Sequence, residues 1–282
     1  MRLAKWQSEV AENTHRFKTI CAGRRSGKTY LSIREICYHA RNPNQNIFYI
    51  TSSYRQAKMI AWRLLKEKLL DLRWIQKVNE SELTIFLKNG SIISLKGAEN
   101  IDALRGVSLS YVVIDECADV DPELFQTVIR PALADQRGGA MFISTPKGKS
   151  NWFYDIYQME EKLPNEWKSW TFTTKQAGFV EPEEIEQAKS EMSLKQFRQE
   201  FEASFETTEA RVAWAFDREH NIKEMPEGLD YRTIHVGGDF NVSPITACIF
   251  VQQGDVLWCV DEIQMFNSNT QEMADEIRNR YP

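Results

Sequence analysis

Cys21-Ala22-Gly23-Arg24-Arg25-Ser26-Gly27-Lys28-Thr29-Tyr30 is the stretch on which the reading of this chain turns. An apolar run, Phe17 to Cys21, leads into it, and Leu31, Ile33, Ile36, Cys37 and Ala40 follow at roughly helical spacing. Strand, glycine-bearing loop and helix in that order make a phosphate-binding loop. Gly27 has no Cβ to block a phosphate, Lys28 reaches the terminal phosphates as a point charge, and the Thr29 hydroxyl is placed to ligand Mg²⁺. Backbone N–H groups at the start of the new helix complete an anion cradle, to which Gly23, Arg24, Arg25 and Ser26 contribute. The usual pattern has its first glycine five positions before Gly27, where this chain has Ala22; Gly23 shifts that glycine by one.

With 282 residues, the chain is long enough for one large domain or two ordinary ones. It shows no cationic apolar leader and no apolar run near membrane length, so neither secretion nor a membrane partner is expected. Five cysteines are scattered without a C-x-x-C pair, which argues against zinc and disulfide frameworks and for a reducing cytoplasm. The net charge of −5 taken alone argues against a general nucleic-acid binder. Its distribution reads differently. Met1 to Leu70 holds fourteen Lys and Arg against four Glu, whereas Asp155 to Ala210 holds thirteen acids against six bases, and the polarity allows one basic face on an acidic molecule.

Periodicity predicts a helix over Leu3–Asn13, a strand over Asn46–Ser52 and a basic amphipathic helix over Tyr54–Asp71. Alternating strands and helices of this length imply α/β architecture with a parallel sheet. Glu82–Leu87 and Ser91–Leu95 read as a hairpin at the sheet edge, with Asn89-Gly90 supplying two positive φ values. Leu109–Ile114 and Ala140–Ile143 are buried-type strands separated by a helix from Asp121 to about Ala134. A helix over Asn151–Glu160, a β-like stretch over Trp167–Thr173 and two acidic helices between Pro182 and Phe205 follow. The chain is expected to divide into a P-loop domain over 1–206, a linker over 207–228 and a second domain over 229–282. That last part shows three strands, Tyr231–Phe240, Ile245–Gln252 and Val256–Met265, then a helix over Thr270–Arg280, and is small for an independent domain.

Hydrolysing a nucleoside triphosphate needs an acid to hold a metal and a group to activate water. Val112-Val113-Ile114-Asp115-Glu116 places both at one strand's end: Asp115 for the Mg²⁺ shell and Glu116 for the attacking water. Ser144-Thr145-Pro146 ends another strand, where an open α/β sheet binds ligands, so its hydroxyls are candidates to sense the γ-phosphate. Trp6-Gln7 is a candidate adenine reader, the glutamine by its amide and the tryptophan by packing.

The ordered set Trp6-Gln7, Gly23 to Thr29, Leu104-Arg105-Gly106, Ile114-Asp115-Glu116, Ser144 to Gly148 and Gly237-Gly238-Asp239-Phe240-Asn241 resembles the large terminase subunit of tailed bacteriophages. An arginine-rich P-loop without the standard first glycine is similar to the form found in that family. The resemblance implies an additional-strand RecA-like ATPase, using ATP and Mg²⁺, that drives double-stranded DNA into a procapsid in the host cytoplasm. It further implies a small terminase subunit and a portal protein as partners, a homo-oligomeric ring, and an RNase H-like nuclease with Mg²⁺ or Mn²⁺ that cuts concatemeric DNA. By the same resemblance Lys28, Thr29, Asp115 and Glu116 carry hydrolysis, and Ser144 and Thr145 couple it. Asp239 corresponds to the first nuclease carboxylate, with Asp261 and Glu262 as possible partners and the later acids expected beyond Pro282. A trans-acting arginine is expected in the region of Arg130 and Arg137; Arg130 is preferred because a helix holds it, with Arg24 and Arg25 as rivals in cis. The alternative is a nucleic-acid helicase or a translocase of another P-loop family, since Asp115-Glu116-Cys117-Ala118-Asp119 superficially resembles a DEAD-type box, but a helicase needs a second RecA-like domain.

Overall fold

The computed structural model describes residues 3–101, 104–206, 222–239 and 243–282. It falls into two compact units, Met1–Glu209 and Ala210–Pro282. Most of the expected linker, residues 207–221, lies outside the described residues, as do Phe240 and Asn241.

Helix α1 (Lys5–Glu12) precedes β1 (Phe17–Ala22), which runs through the P-loop into α2 (Lys28–Ala40). The strands β2 (Asn46–Thr51), β3 (Ile75–Asn79), β4 (Thr84–Leu87), β5 (Ile92–Gly97), β6 (Tyr111–Asp115), β7 (Gly139–Ser144) and β8 (Trp167–Phe172) complete one sheet of order β3-β4-β5-β2-β6-β7-β1-β8. From β5 to β8 all neighbours are parallel, and at the other edge β4 alone is reversed, pairing antiparallel with both β3 and β5. The central strands are buried on both faces, as a parallel sheet covered by helices requires. Their alternation sorts the core into two layers. Ile20, Tyr49, Val113 and Met141 face α1, α2 and the helix that begins at Tyr54. Cys21, Ile50, Ile114 and Phe142 face Leu124, Ile129 and Phe153 on the other side.

Several expectations change in detail. The basic helix is Tyr54–Ala57 and Arg63–Asp71 joined through a π-helical turn at Lys58–Trp62, and a second π-helical stretch, Leu124–Ile129, leads into Arg130–Ala132. In the β4–β5 hairpin only Gly90 has positive φ (83°). Asn89 instead turns its amide to the carbonyls of Ala40 and Asn42, giving the C-terminal end of α2 the donors it lacks. Strand β3, rich in polar residues, has no apolar alternation to show it in the sequence. Its place comes from antiparallel pairing with β4.

The second unit is a three-stranded antiparallel sheet of β9 (His235–Asp239), β10 (Ile245–Gln253) and β11 (Val256–Met265), in the order β11-β10-β9. Ile245, Ala247, Ile249 and Ile263 form its core with Met273 of the helix Thr270–Arg280. Alternation along β10 puts Thr246 and Cys248 on the opposite face, and with them their partners Asp239 and Glu262. Asp261, paired with the buried Ile249, accepts from Arg280 Nη1 at 3.2 Å and Tyr281 OH at 3.0 Å. The two acids proposed as partners for Asp239 are thus split between faces, and Asp261 is engaged by the helix end.

Candidate nucleotide site

In a parallel sheet the C-terminal strand ends collect on one edge, and β1 and β6 deliver the P-loop and the Asp115-Glu116 pair to that edge with β7 between them. A cavity of about 910 Å³ opens there, walled by Gln7, Arg24 to Tyr30, Glu116, Ile60, Leu64, Phe179 and Val180. Gly23, Asp115, Ser144, Thr145 and Arg130 are not in its wall; Asp115 is buried just behind Glu116.

Gly27 caps α2 from the left-handed region, φ 85° and ψ 26°, a conformation in which an L side chain is strained. A Cβ there would also lie 3.0 Å from Gln7 Nε2 and from the Phe179 ring. The glycine is therefore required by backbone and by neighbours, and not only by the room a phosphate needs. Gly23 has a separate reason: a Cβ would come within 2.5 Å of Thr174 Oγ1 and 2.8 Å of the Phe201 carbonyl. Its close approach lets the Gly23 N–H donate to Phe172 and Thr174 Oγ1 donate to the Arg24 carbonyl, which fastens the loop to the chain after β8.

Lys28 is 8% exposed, and its ammonium donates to the carbonyls of Ala22 and Gly23 at 3.1 and 3.2 Å. Burial pulls its pKa down, while Glu116 and Asp115 pull it up. Ser26 is fully buried and its hydroxyl has no hydrogen-bond partner among the described residues. A buried unpaired hydroxyl at the cavity is costly unless a ligand oxygen meets it, whereas the N–H groups of Gly23 and Arg24, expected in the anion cradle, donate to the Phe172 and Glu200 carbonyls instead. Arg24 is tied to the Glu200 carboxylate, which holds its pKa up, and its backbone N–H donates to the Glu200 carbonyl at 2.7 Å. Arg25, in the left-handed region at φ 58°, projects exposed at the cavity.

Asp115 is buried at the end of β6. Tyr49 OH donates to its Oδ2 at 2.5 Å and the Glu116 N–H to its Oδ1 at 2.9 Å. Burial and the neighbouring Glu116 nevertheless push its pKa up to about 6 from 3.8. Between those values the folded protein holds a proton that the unfolded chain releases, so stability from this group is present at low pH and is lost as pH rises through about 6. Asp115→Asn is therefore expected to stabilise the ligand-free protein at pH 7.5 by on the order of 2–3 kcal/mol, with the gain shrinking toward pH 4. Thermal melts of both proteins at the two pH values check this; equal midpoints at pH 7.5 would contradict it.

Glu116 adopts φ 49° and ψ 45°. A non-glycine residue held there costs about 1–2 kcal/mol, and such strain persists only where the surroundings enforce it. The turn that follows, Cys117–Asp119, is fixed by Ser144 Oγ, which accepts from the Ala118 N–H at 3.2 Å. The Ser-Thr-Pro segment is thus placed against the Glu116 turn rather than in the cavity wall.

Of the Trp6-Gln7 pair, only the glutamine reaches the site. Gln7 Oε1 accepts from the Ala4 N–H, closing the start of α1, and Nε2 donates to the Gly27 carbonyl at 3.0 Å. Trp6 is instead a core residue packed on Phe172 at 4.8 Å between ring centroids, because α1 turns its apolar face to the sheet. Two aromatic residues line the cavity, Tyr30 at the start of α2 and Phe179, 56% exposed, and no spacing in the sequence marks the second. Tyr49 and Glu200 were likewise missed. A tyrosine within a strand and an acid within an acidic helix carry no local signal of their partners. Arg130 lies 5.7 Å from the Phe17 ring, at the opposite end of β1 from the P-loop.

Residues 19–219 match the family described as terminase large subunit, T4likevirus-type, N-terminal. The chain belongs to the terminase large subunit family. The terminase large subunit of Escherichia phage T5 is 32% identical over 219 residues, covering 75% of this chain and 49% of that protein. That of Thermus virus P23-45 is 28% identical over 184 residues, covering 56% of this chain and 38% of that protein. The chain spans about half or less of the length of these curated relatives. In fold, the Thermus phage P74-26 large terminase ATPase domain superposes with a TM-score of 0.64 at 24% identity over 72% of this chain and 94% of that one. The large terminase of a thermophilic bacteriophage in complex with ADP superposes at 0.64 and 16% identity over 99% of this chain and 74% of that one. The first unit of this terminase-family chain has the RecA-like P-loop fold, with β7 as the strand added between the P-loop strand and the acid-bearing strand.

Proposed function

We propose that this chain is the ATPase part of a viral DNA-packaging motor. One arrangement carries the reading: the Ser26 hydroxyl, buried and unpartnered among the described residues, and the Lys28 ammonium lie at one cavity, with Asp115 and Glu116 brought to the same sheet edge. A carboxylate with a raised pKa suits a cation, so Thr29 and Asp115 fit as the residues that would hold Mg²⁺. The ion when bound supplies charge neutralisation on the β/γ-phosphates. Lys28 leaves its two carbonyls to meet the phosphates, and Glu116 orients the attacking water. Phe179, with Ile60, Leu64 and Val180, offers an apolar wall for the base, while Gln7 supports the loop from behind.

The T5 and Thermus relatives are named as terminase large subunits, and that name supports double-stranded DNA as the translocated partner, with a small terminase subunit, a portal protein and a ring of subunits in the host cytoplasm. Arg130 fits such a ring only in trans. About five strand steps of roughly 3.3 Å each separate its end of β1 from the phosphate loop, so its own site is out of reach. Arg55, Lys58 and Arg63 lie exposed on the helix that begins at Tyr54, although Arg63 pairs with Glu67 and Lys66 with Glu80. Duplex DNA is expected to raise phosphate release, with the stimulation fading between about 50 and 200 mM salt as counterion release weakens. Phosphate release with and without duplex at several salt concentrations checks this. ATP hydrolysis indifferent to DNA would remove the motor reading, and stimulation indifferent to salt would remove the phosphate-contact mechanism.

The second unit is read as the start of an RNase H-like nuclease, on the placement of Asp239 at the end of an edge strand. A two-metal mechanism needs several convergent carboxylates. Among the described residues no three His, Cys, Asp or Glu side chains gather as a metal site, so the acids present here do not fit Mg²⁺ or Mn²⁺ binding by themselves and no cleavage step is assigned to them. The match of residues 19–219 to the terminase family supports this reading over the helicase alternative.

A further inference from the structure

Glu116 is useful as a water-orienting group only if its strained backbone is held while the nucleotide turns over. The side-chain ties on the turn after it come from Ser144 to Asn151, the end of β7 and the segment beyond it. Both polar backbone groups of Ala118 are claimed: its N–H by Ser144 Oγ at 3.2 Å and its carbonyl by Asn151 Nδ2 at 3.0 Å. Asp119, next in the turn, forms an ion pair with Lys147. Asn151 also caps the helix Trp152–Tyr157, its Oδ1 accepting from the Phe153 N–H at 3.0 Å. The amide orientation is dictated by these partners, since a flip would set the NH₂ against an N–H and the oxygen against a carbonyl. The capped helix is anchored in turn, with Phe153 fully buried and Thr19 Oγ1 of β1 donating to the Ile156 carbonyl.

We infer that Asn151 is a positioning residue for ATP hydrolysis: its amide locks the Ala118 peptide, and through it the left-handed Glu116, to the helix that rests on the P-loop strand. The inference rests on the reading of Glu116 as the water-orienting group. Ser144 and Asn151 grip one residue's N–H and carbonyl, so the turn cannot rotate without breaking one of them. Motion in the segment between β7 and the helix would therefore reach Glu116 directly, while the phosphate cradle on the neighbouring strand would stay in place.

Asn151→Asp separates the two jobs of the side chain. An aspartate still accepts from the Phe153 N–H, as a helix cap should, but it sets an oxygen against the Ala118 carbonyl. Asn151→Ser keeps a capping hydroxyl too short to span to Ala118, and serves where the added charge prevents folding. In the full chain both variants are expected to bind ATP within about twofold of wild type and to melt lower because the Ala118 carbonyl loses its donor, while kcat measured well below the melting midpoint falls by about 10- to 100-fold with KM little changed. A purely structural side chain would lower the melting midpoint and leave kcat intact well below it. Glu116→Gln measured alongside separates the two readings. Normal hydrolysis by Glu116→Gln overturns the water-orienting role and the inference with it. A dead Glu116→Gln beside folded Asn151 variants with wild-type kcat, or with ATP affinity falling in step with kcat, overturns the inference alone.

Discussion

Glu116→Gln is expected to leave ATP binding near wild type and to lower hydrolysis by about 10³-fold, within the usual range for loss of a general base. The substitution keeps the shape and the hydrogen-bonding reach of the side chain but removes the charge that polarises water. The hydrogen bonds of the phosphate cradle do not need that charge, because Lys28 is held by the carbonyls of Ala22 and Gly23 and the loop by Phe172, Thr174 and Glu200, and Asp115 still supports the buried ammonium once Glu116 is neutral. Removing one of two neighbouring carboxylates also relieves Asp115, whose raised pKa owes its second largest contribution to Glu116. The pKa of Asp115 should therefore fall, and the variant should hold nucleotide at least as well below pH 6 as wild type does. Phosphate release together with equilibrium nucleotide affinity at pH 5.5 and 7.5 checks both halves. Turnover at the wild-type rate would remove Glu116 from its role.

Lys28→Ala is expected to lose both binding and turnover, with kcat down by at least about 10²- to 10³-fold, the effect of deleting one preorganised charge donor at a phosphoryl group. The cost has two sources. The positive charge facing the β/γ-phosphates is gone, and the Ala22 and Gly23 carbonyls that the ammonium now satisfies are left without a donor. The second source predicts a loss of stability as well, on the order of 1–3 kcal/mol. Lys28→Arg keeps the charge but brings a planar fork to a cavity shaped for a point charge, so it should recover stability before activity. Nucleotide titration, phosphate release and thermal melts on the two variants separate these contributions; an alanine variant that binds ATP as tightly as wild type would break the P-loop assignment.

The sequence alone determined what depends on local periodicity and on residue chemistry at fixed spacing. The strand, loop and helix around Gly27-Lys28-Thr29 could be read because an apolar run switches to helical spacing across a glycine, and these are properties of neighbours in the chain. Asp115-Glu116 could be read as a strand end because an apolar run stops at two acids. The parallel sheet followed from strands alternating with helices, and the β4–β5 hairpin from Asn89-Gly90. The tertiary structure decided everything that depends on which distant side chain arrives. Trp6 and Gln7 are adjacent, yet helix geometry sends one into the core beside Phe172 and the other to the Gly27 carbonyl. Tyr49 meets Asp115 only because β2 and β6 are neighbours in the sheet. The left-handed Glu116 is enforced by Ser144 and Asn151 from the far side of β7, and Glu200 reaches Arg24 across 176 residues. Arg130 is placed away from its own phosphate loop by the length of β1, a distance that no spacing in the sequence encodes. Local pattern fixes the conformations open to a segment, whereas burial, pairing and charge at the site are set by sheet order, and sheet order is a global minimum over contacts between segments far apart in the chain.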